Sequence, residues 1–244
     1  MIIKSASLQN DVSQFVFPGK LRVFFGHQSV GRNILDGIRQ NHPNAKIVAY
    51  DSQEKGARKY GIFHKSIGRN GDPYSKIDGF VECVQSAATP FDIALMKFCY
   101  ADIDTMTDVN ELFQYYQEAM NKLSRTLPGT RILHCTVPLR SIRLGIRSFL
   151  RLAFGRSVTA IQENIQREAL SDLVRSDCLE NSRLFDIAAL ESKSLSGSLC
   201  VPNYHAVRVP ALDPYYSSDG GHLNGVGRRY IAEKFVQLIN DTKQ

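Results

Sequence analysis

Short apolar runs alternate with amphipathic stretches along most of the chain. The runs predict strands at Leu21–Phe25, Lys46–Tyr50, Phe91–Phe98, Arg131–Val137 and Arg183–Ile187. Helical patterns cover about 29–40, 73–88, 109–126, 158–174 and 225–239, and residues 51–72 are predicted as loop. Strands that alternate with helices across linkers of this size favour a parallel sheet between two helical layers. We therefore predict an α/β fold: a three-layer, doubly wound and mainly parallel sheet of about five strands.

The composition places this fold in one globular unit. A chain of 244 residues, 43% hydrophobic and 22% charged, suits a single α/β domain with a substantial core. We expect one domain over residues 1–244, with a basic insertion at about 139–156. No secretory signal is recognisable at the N-terminus, and no apolar run approaches the roughly 18 residues of a transmembrane helix. We therefore expect a cytoplasmic protein.

The cysteine and histidine patterns argue against a disulfide framework and a metal site. The five cysteines are widely spaced and include no C-x-x-C pair, which is typical of reduced, mostly buried thiols. The six histidines show no metal-ligand spacing. The glycines at 56 and 61 are not followed by the Lys-Ser/Thr of a phosphate loop, which disfavours a flavodoxin-like nucleotide binder. No cofactor is expected.

A basic segment accounts for most of the net charge. Residues 139–156 hold five arginines and no acid, and removing these five charges from the net charge of +6 leaves +1 for the rest of the chain. Helical spacing within the segment predicts a basic amphipathic helix whose stripe is Arg140, Arg143, Arg147 and Arg151. Three interpretations remain open: a lid over the substrate, a contact with an anionic surface or acidic glycan, or a solvated helix face. Nucleic acid is the weakest partner because the segment lacks the regular alternation of aromatic and basic residues that single-strand binders use.

A serine stands where the first strand meets the first helix. The apolar run ends at Phe25, Gly26 allows a sharp turn, and a helical pattern begins near Ser29. Open α/β sheets bind ligands at this end of their strands, and free N–H groups at a helix start stabilise negative charge. Ser29 is therefore a candidate nucleophile. The alternative is that it serves only as the helix N-cap.

A carboxylate and an imidazole lie three residues apart just before the last predicted helix. Asp219 and His222 sit in a glycine-containing loop, at a spacing that places both side chains on one side of a turn. A carboxylate can hold one ring nitrogen while the other faces a nucleophile, as acyl transfer requires. The alternative is a turn residue followed by a polar residue at a helix start.

The order of these two motifs resembles the SGNH/GDSL hydrolase family, with matching element order over about residues 21–240. In that family the nucleophilic serine follows the first strand, and Asp-x-x-His lies in the last loop. The resemblance implies that Ser29 is the nucleophile, that His222 is general base and acid, and that Asp219 orients His222.

The chain departs from the family pattern at two places. His27-Gln28 stands where the family has Gly-Asp before the serine, and residues 97–102 replace the usual Gly-x-Asn-Asp. The resemblance implies two oxyanion donors, the N–H of Ser29 and a glycine after the second strand. Here Gly68 can supply an N–H and Asn70 a side-chain amide, unless the glycines of this loop only shape a turn.

Four further residues are candidates for the pocket lining. His27 either lines the pocket or satisfies backbone groups at the turn. Lys97 either binds an anionic substrate group or extends its ammonium to the surface. Cys99 is an alternative nucleophile beside His222, although a buried cysteine is usually inert. Tyr100 lines the pocket or, with Asp102, holds loops together.

We therefore predict a serine esterase or acyl-ester hydrolase of SGNH type, working through an acyl-enzyme on Ser29. Its substrate is a small-molecule or carbohydrate ester. The alternatives are acyl transfer to a sugar hydroxyl and a non-catalytic anion- or glycan-binding module on the same fold.

Overall fold

The computed structural model describes residues 20–51, 60–142, 159–178, 183–194, 197–200, 203–204 and 207–242. Within them, six strands form one sheet in the order β2-β3-β1-β4-β5-β6, and every pairing is parallel. The strands are Arg22–His27 (β1), Ile47–Ala49 (β2), Gly61–Ser66 (β3), Ile93–Met96 (β4), Arg131–Cys135 (β5) and Leu184–Phe185 (β6). A short antiparallel ribbon joins Asn203–Tyr204 (β7) to Val207–Arg208 (β8).

Within the described ranges, six helices accompany the strands, and five of them match the predicted helical stretches, whereas Ile187–Ser192 was not predicted. They are Ser29–Asn41 (α1), Pro73–Gln85 (α2), Val109–Thr126 (α3), Thr159–Asp177 (α4), Ile187–Ser192 (α5) and Gly225–Asp241 (α6). Two 3-10 turns lie at Tyr100–Asp102 and Pro214–Tyr216. The predicted three-layer parallel fold is confirmed, with one more strand in the sheet than the five predicted.

The prediction of loop over residues 51–72 is wrong for β3. This strand lies between β1 and β2, and it pairs with β1 from Arg22 opposite Gly61 to His27 opposite Ser66. Its first three residues are buried, whereas Lys65 and Ser66 are exposed. The second half of β3 is polar because it lies at the exposed carboxyl end of the sheet. The strand therefore lacks the continuous apolar run of a buried parallel strand, and its sequence pattern resembles that of a loop.

Two apolar cores cover the two faces of the sheet. In β1, Val23 and Phe25 face the core beneath α1 and α6, and Phe24 faces the core beneath α2 and α3. All three are fully buried. Burial on both faces is what a central strand of a doubly wound parallel sheet requires.

Helices α1 and α6 meet in backbone contact. A Cβ at Gly37 would lie 2.1 Å from the carbonyl oxygen of Arg228, so no larger residue fits there without separating the helices. This contact fixes the start of α6, and the loop that precedes it, against α1.

The predicted arginine helix lies mostly outside the described residues. Arg143, Arg147 and Arg151 fall in the undescribed range 143–158, whereas residues 140–142 have irregular backbone. Arg140 is therefore not part of a helix, and that part of the prediction is wrong. Asn164 explains why: its Oδ1 accepts from the Arg140 N–H at 3.1 Å, and its Nδ2 donates to the Arg140 carbonyl at 2.8 Å.

Two further observations concern the sequence predictions. All five cysteines lie in the described part of the chain and none forms a disulfide, and Cys200 is the one that is not buried. Among the described residues, no helix is long and apolar enough to cross a membrane.

Candidate active site

Ser29 is the first residue of α1, at the carboxyl end of β1. The N-cap is Gln28 and makes no side-chain capping bond. The Ser29 hydroxyl, half-buried, has no hydrogen-bond partner in the described structure. Interpreting Ser29 as the N-cap is therefore wrong. Its hydroxyl stands unused at a helix start, where the first N–H groups also lack intrahelical partners.

Gln28 anchors this turn to the neighbouring loop. Its Nε2 donates to the carbonyl oxygens of Ile67 at 2.8 Å and Gly68 at 2.9 Å. Gln28 occupies the position of the family's aspartate, and it crosslinks the turn after β1 to the loop after β3. Sequence reasoning missed this role of Gln28. The available signal was a polar side chain directly before Ser29.

His27 lies beneath the turn and does not line a pocket. It is 1% exposed, and its Nδ1 donates to the Gln28 carbonyl at 2.8 Å. Because a carbonyl can only accept, this bond places the proton on Nδ1, and Nε2 accepts from His64 Nδ1 at 3.0 Å. Burial lowers the pKa of His27 to about 4, so both rings stay neutral near pH 7.

Asp219 and His222 form the predicted pair. His222 Nδ1 lies 2.6 Å from Asp219 Oδ2, while Asp219 Oδ1 accepts from the N–H of His222 at 2.7 Å and that of Gly221 at 2.9 Å. The His222 N–H bond is the main cause that holds the pKa of Asp219 well below its usual range. An ionised carboxylate on Nδ1 leaves Nε2 as the nitrogen free to take a proton.

The two glycines between this pair are structural requirements. Gly220 has φ of +85°, in the left-handed region that favours glycine. A Cβ at Gly221 would lie 2.8 Å from the Tyr100 ring. The loop can therefore turn back on itself and pack directly against Tyr100.

Asn33 connects the serine helix to the histidine loop. Its Oδ1 accepts from the N–H of Leu223, the residue after His222, at 3.0 Å. Ser29 and Asn33 are four residues apart on α1, so they share one face at a rise of about 6 Å. The structure thus brings Ser29 and His222 to the same edge of the sheet. Within the described residues, no hydrogen bond joins their side chains.

The geometry of Gly68 does not support it as an oxyanion donor. The Ile67 carbonyl is directed at Gln28, and in a trans peptide the following N–H points the opposite way. The Gly68 nitrogen instead lies 3.5 Å from the Cβ position of Gly79 on α2. With φ of +55°, Gly68 serves the turn.

Asn70 has an unbonded donor that could serve in that role. Its Oδ1 accepts from Lys76 Nζ at 3.0 Å, and its Nδ2 has no partner among the described residues. Since Lys76 can only donate, it fixes which end of the amide is the oxygen. The NH₂ group is left free at the exposed side of the loop.

Asp102 joins the loops that follow β3 and β4. It accepts from Lys76 Nζ at 2.6 Å, from the N–H of Cys99 at 2.6 Å and from that of Gly71 at 3.0 Å. Both charged side chains are fully buried. The suggestion that Asp102 holds loops together agrees with these contacts.

Two other candidates lie away from the open side of the site. Lys97 is fully buried and donates to the Phe98 carbonyl at 2.8 Å, so it neither extends to the surface nor faces an open pocket. Cys99 is 2% exposed, and its sulfur accepts from the N–H of Asp102. No described contact joins Cys99 to His222, which does not support it as the nucleophile.

Tyr100 forms a wall beside the histidine. Its ring packs edge-to-face on His222, with the ring centres 5.8 Å apart. Arg167, 2% exposed, holds the Tyr100 backbone through a bond from Nε to the carbonyl at 2.8 Å. Tyr100 therefore has the position of a lining residue.

Neither a family model nor a curated protein sequence matches the chain. Solved structures do match, among them a protein described as a GDSL-like lipase from Parabacteroides merdae, at a TM-score of 0.53 and 14% identity over 94% of this chain and 98% of that one. A carbohydrate esterase family 3 structure from Talaromyces cellulolyticus matches at 0.52 and 12% identity, over 91% and 98%. A mutant acetyl esterase with an acetate ion matches at 0.50 and 12%, also over 91% and 98%.

These similarities identify the fold. The parallel sheet, its helical layers and its solved neighbours show a divergent SGNH/GDSL hydrolase-like fold. At 12–14% identity the likeness shows the fold alone, and the activity rests on the geometry of the site.

Proposed function

We propose that the protein is a serine esterase that hydrolyses acyl esters through an acyl-enzyme on Ser29. The observation that carries this proposal is the His222–Asp219 bond on a loop tied by Leu223 to the helix that starts at Ser29. That arrangement supports His222 as a base held in one tautomer, with the unbonded hydroxyl of Ser29 at the same edge of the sheet. Acylated carbohydrate is the substrate class we favour, in keeping with the esterase neighbours.

In the proposed reaction, His222 Nε2 takes the Ser29 proton as Oγ bonds to the ester carbonyl carbon. The proton then passes to the departing alcohol oxygen as the C–O bond breaks, leaving the acyl group on Ser29. Water then attacks the acyl carbon with His222 again as base, the bond from that carbon to Ser29 Oγ breaks, and His222 returns the proton to Oγ as the acid leaves. Asp219 stabilises the imidazolium in both steps.

Two donors would hold the oxyanion. The Ser29 N–H lies at the unpartnered start of α1, where the helix dipole favours negative charge. The free NH₂ of Asn70, oriented by Lys76, would supply the second bond in place of the family's asparagine. We do not assign Gly68 to this role.

The openness of the site favours water over a second substrate as the acceptor. The His222 side chain is 40% exposed and that of Asp219 is 55% exposed, so solvent reaches the base directly. An acyltransferase has to keep water from its acyl-enzyme. Hydrolysis is therefore proposed ahead of acyl transfer to a sugar hydroxyl, and ahead of a non-catalytic binding module.

The test is hydrolysis of 4-nitrophenyl acetate by the purified chain and its variants. We expect Ser29→Ala and His222→Ala to lower kcat by at least about 10³-fold, and Asn70→Ala by about 10²-fold, the usual loss for one oxyanion donor. Cys99→Ala is the matched control, with activity expected close to wild type. Hydrolysis that survives in Ser29→Ala, or a wild type that hydrolyses no short acyl ester, would contradict the proposal.

A further inference from the structure

The guanidinium of Arg140 has no hydrogen-bond or ion-pair partner among the described residues. Its Nε is buried and unbonded. The neighbouring Arg167 is the reverse case. Its three nitrogen positions bond to the Tyr100 carbonyl, to Asn164 and to Glu163, at 2.8, 2.8 and 2.9 Å.

Arg140 lies on the wall of the candidate site. Its guanidinium carbon is 5.4 Å from the centre of the Tyr100 ring, which also packs against the His222 ring at 5.8 Å. The next residue, Ser141, donates its N–H to the Gly220 carbonyl at 2.9 Å, inside the Asp219–His222 loop. Arg140 and His222 are therefore at most about 11 Å apart, with one aromatic ring between them.

The backbone of Arg140 is fixed more firmly than a surface residue needs. Asn164, which is fully buried, bonds both its N–H and its carbonyl, and the N–H of Leu212 donates to the same carbonyl at 3.3 Å. These bonds fix the backbone from which the Arg140 side chain extends, and the guanidinium lies over the Tyr100 ring beside the Asp219–His222 loop.

An unpaired, partly desolvated guanidinium favours an anion. Partial burial of the guanidinium costs hydration free energy, which a carboxylate or phosphate can offset by accepting a charge-assisted, two-pronged bond from the two Nη groups. The carboxylate of the adjacent loop, Asp219, is already bonded to His222 and two N–H groups. The described residues of the wall therefore do not supply the missing partner.

We propose that Arg140 is an anion-recognition residue and that the substrate is an ester bearing a carboxylate or another oxyacid group within about 1 nm of the scissile carbonyl. This inference rests on the proposed esterase function and narrows its substrate class. A sugar ester whose ring carries an acidic group has the required chemistry. Arg140 acts by binding and positioning, and it takes no part in the proton transfers.

The test compares matched neutral and anionic esters. On the alcohol side the pair is phenyl acetate and 3-acetoxybenzoate; on the acyl side it is 4-nitrophenyl butyrate and mono-4-nitrophenyl succinate. We expect wild type to prefer the anionic member of one pair in kcat/KM. In Arg140→Met that preference falls by about tenfold or more, mainly through KM, the usual loss for a charged hydrogen bond. Arg140→Lys retains part of it.

The matched control is Arg125→Met, which removes an equal charge from the far end of α3. It should leave the preference unchanged. Equal preference in wild type and Arg140→Met overturns the inference while leaving the esterase intact. If no ester is hydrolysed, calorimetric binding of 3-acetoxybenzoate to Ser29→Ala decides separately: binding that is lost in Ser29→Ala/Arg140→Met supports the anion site, and equal or absent binding overturns it.

Discussion

At the residue scale, the turn before Ser29 is held by side chains that differ from the family pattern. Gln28 bonds the loop after β3, and His27 bonds the Gln28 carbonyl from below. Sequence reasoning identified His27-Gln28 as a departure, and one of its two alternatives for His27 was the bond to turn backbone that the structure shows, but it gave Gln28 no role. A side chain's bonding partner on a distant loop depends on the fold, so neither residue type nor spacing reveals it.

The same residues lead to a pH prediction. His27 is 1% exposed with a pKa lowered to about 4, against 6.5 in an unfolded chain. Above pH 6.5 the ring is neutral in both the folded and the unfolded state, so it does not change the free energy of unfolding. As pH falls towards 4 the unfolded state gains a proton that the folded state does not, so stability drops, by about 2 kcal/mol at pH 5.

Urea unfolding at pH 7 and pH 5 measures this effect. His27→Gln should lose a large part of the difference between the two pH values, whereas His42→Gln, at a partly exposed surface ion pair, should retain it. An identical pH dependence in wild type and His27→Gln would show that His27 is not the group responsible.

At the element scale, the five long helices were predicted from the sequence, whereas the short helix α5, the strand β3 and the β7–β8 ribbon were not. The bounds of α3 follow from its apolar spacing and from Asp108, whose carboxylate caps the N–H groups of residues 110 and 111. Strand β3 was missed because its polar half, ending at Ser66, enters the sheet only through pairing with β1. The local pattern of apolar residues predicts elements that have one apolar face. It fails for a strand that is stabilised mainly by pairing with its neighbours in the sheet.

The loops after β3 and β4 are joined by the buried Lys76–Asp102 pair, which leads to an element-scale prediction. Asp102→Asn leaves the Lys76 charge without its counter-ion in a fully buried position, and we expect a loss of about 3–5 kcal/mol in the free energy of unfolding. Urea denaturation measures it. Asp36→Asn breaks the exposed Arg39 pair and should cost under about 1 kcal/mol. Equal losses in the two variants would contradict a structural role for the buried pair.

At the scale of the whole molecule, the sheet gathers residues far apart in sequence at one edge. Ser29 follows β1, Asn70 follows β3, Tyr100 follows β4 and Arg140 follows β5, while Asp219 and His222 precede α6. The order of the first and last motifs was readable from the sequence because it depends only on element order. The positions of Asn70 and Arg140 depend on loop conformation, and so element order does not predict them.

The central claim is that Ser29 is an activated nucleophile. The direct measurement is covalent labelling by a fluorophosphonate, followed by mass spectrometry of the digested protein. The account predicts one adduct per chain, on Ser29, that is absent in Ser29→Ala and strongly slowed in His222→Ala. A wild type that does not label, or an adduct on Cys99 or any other residue, would contradict it.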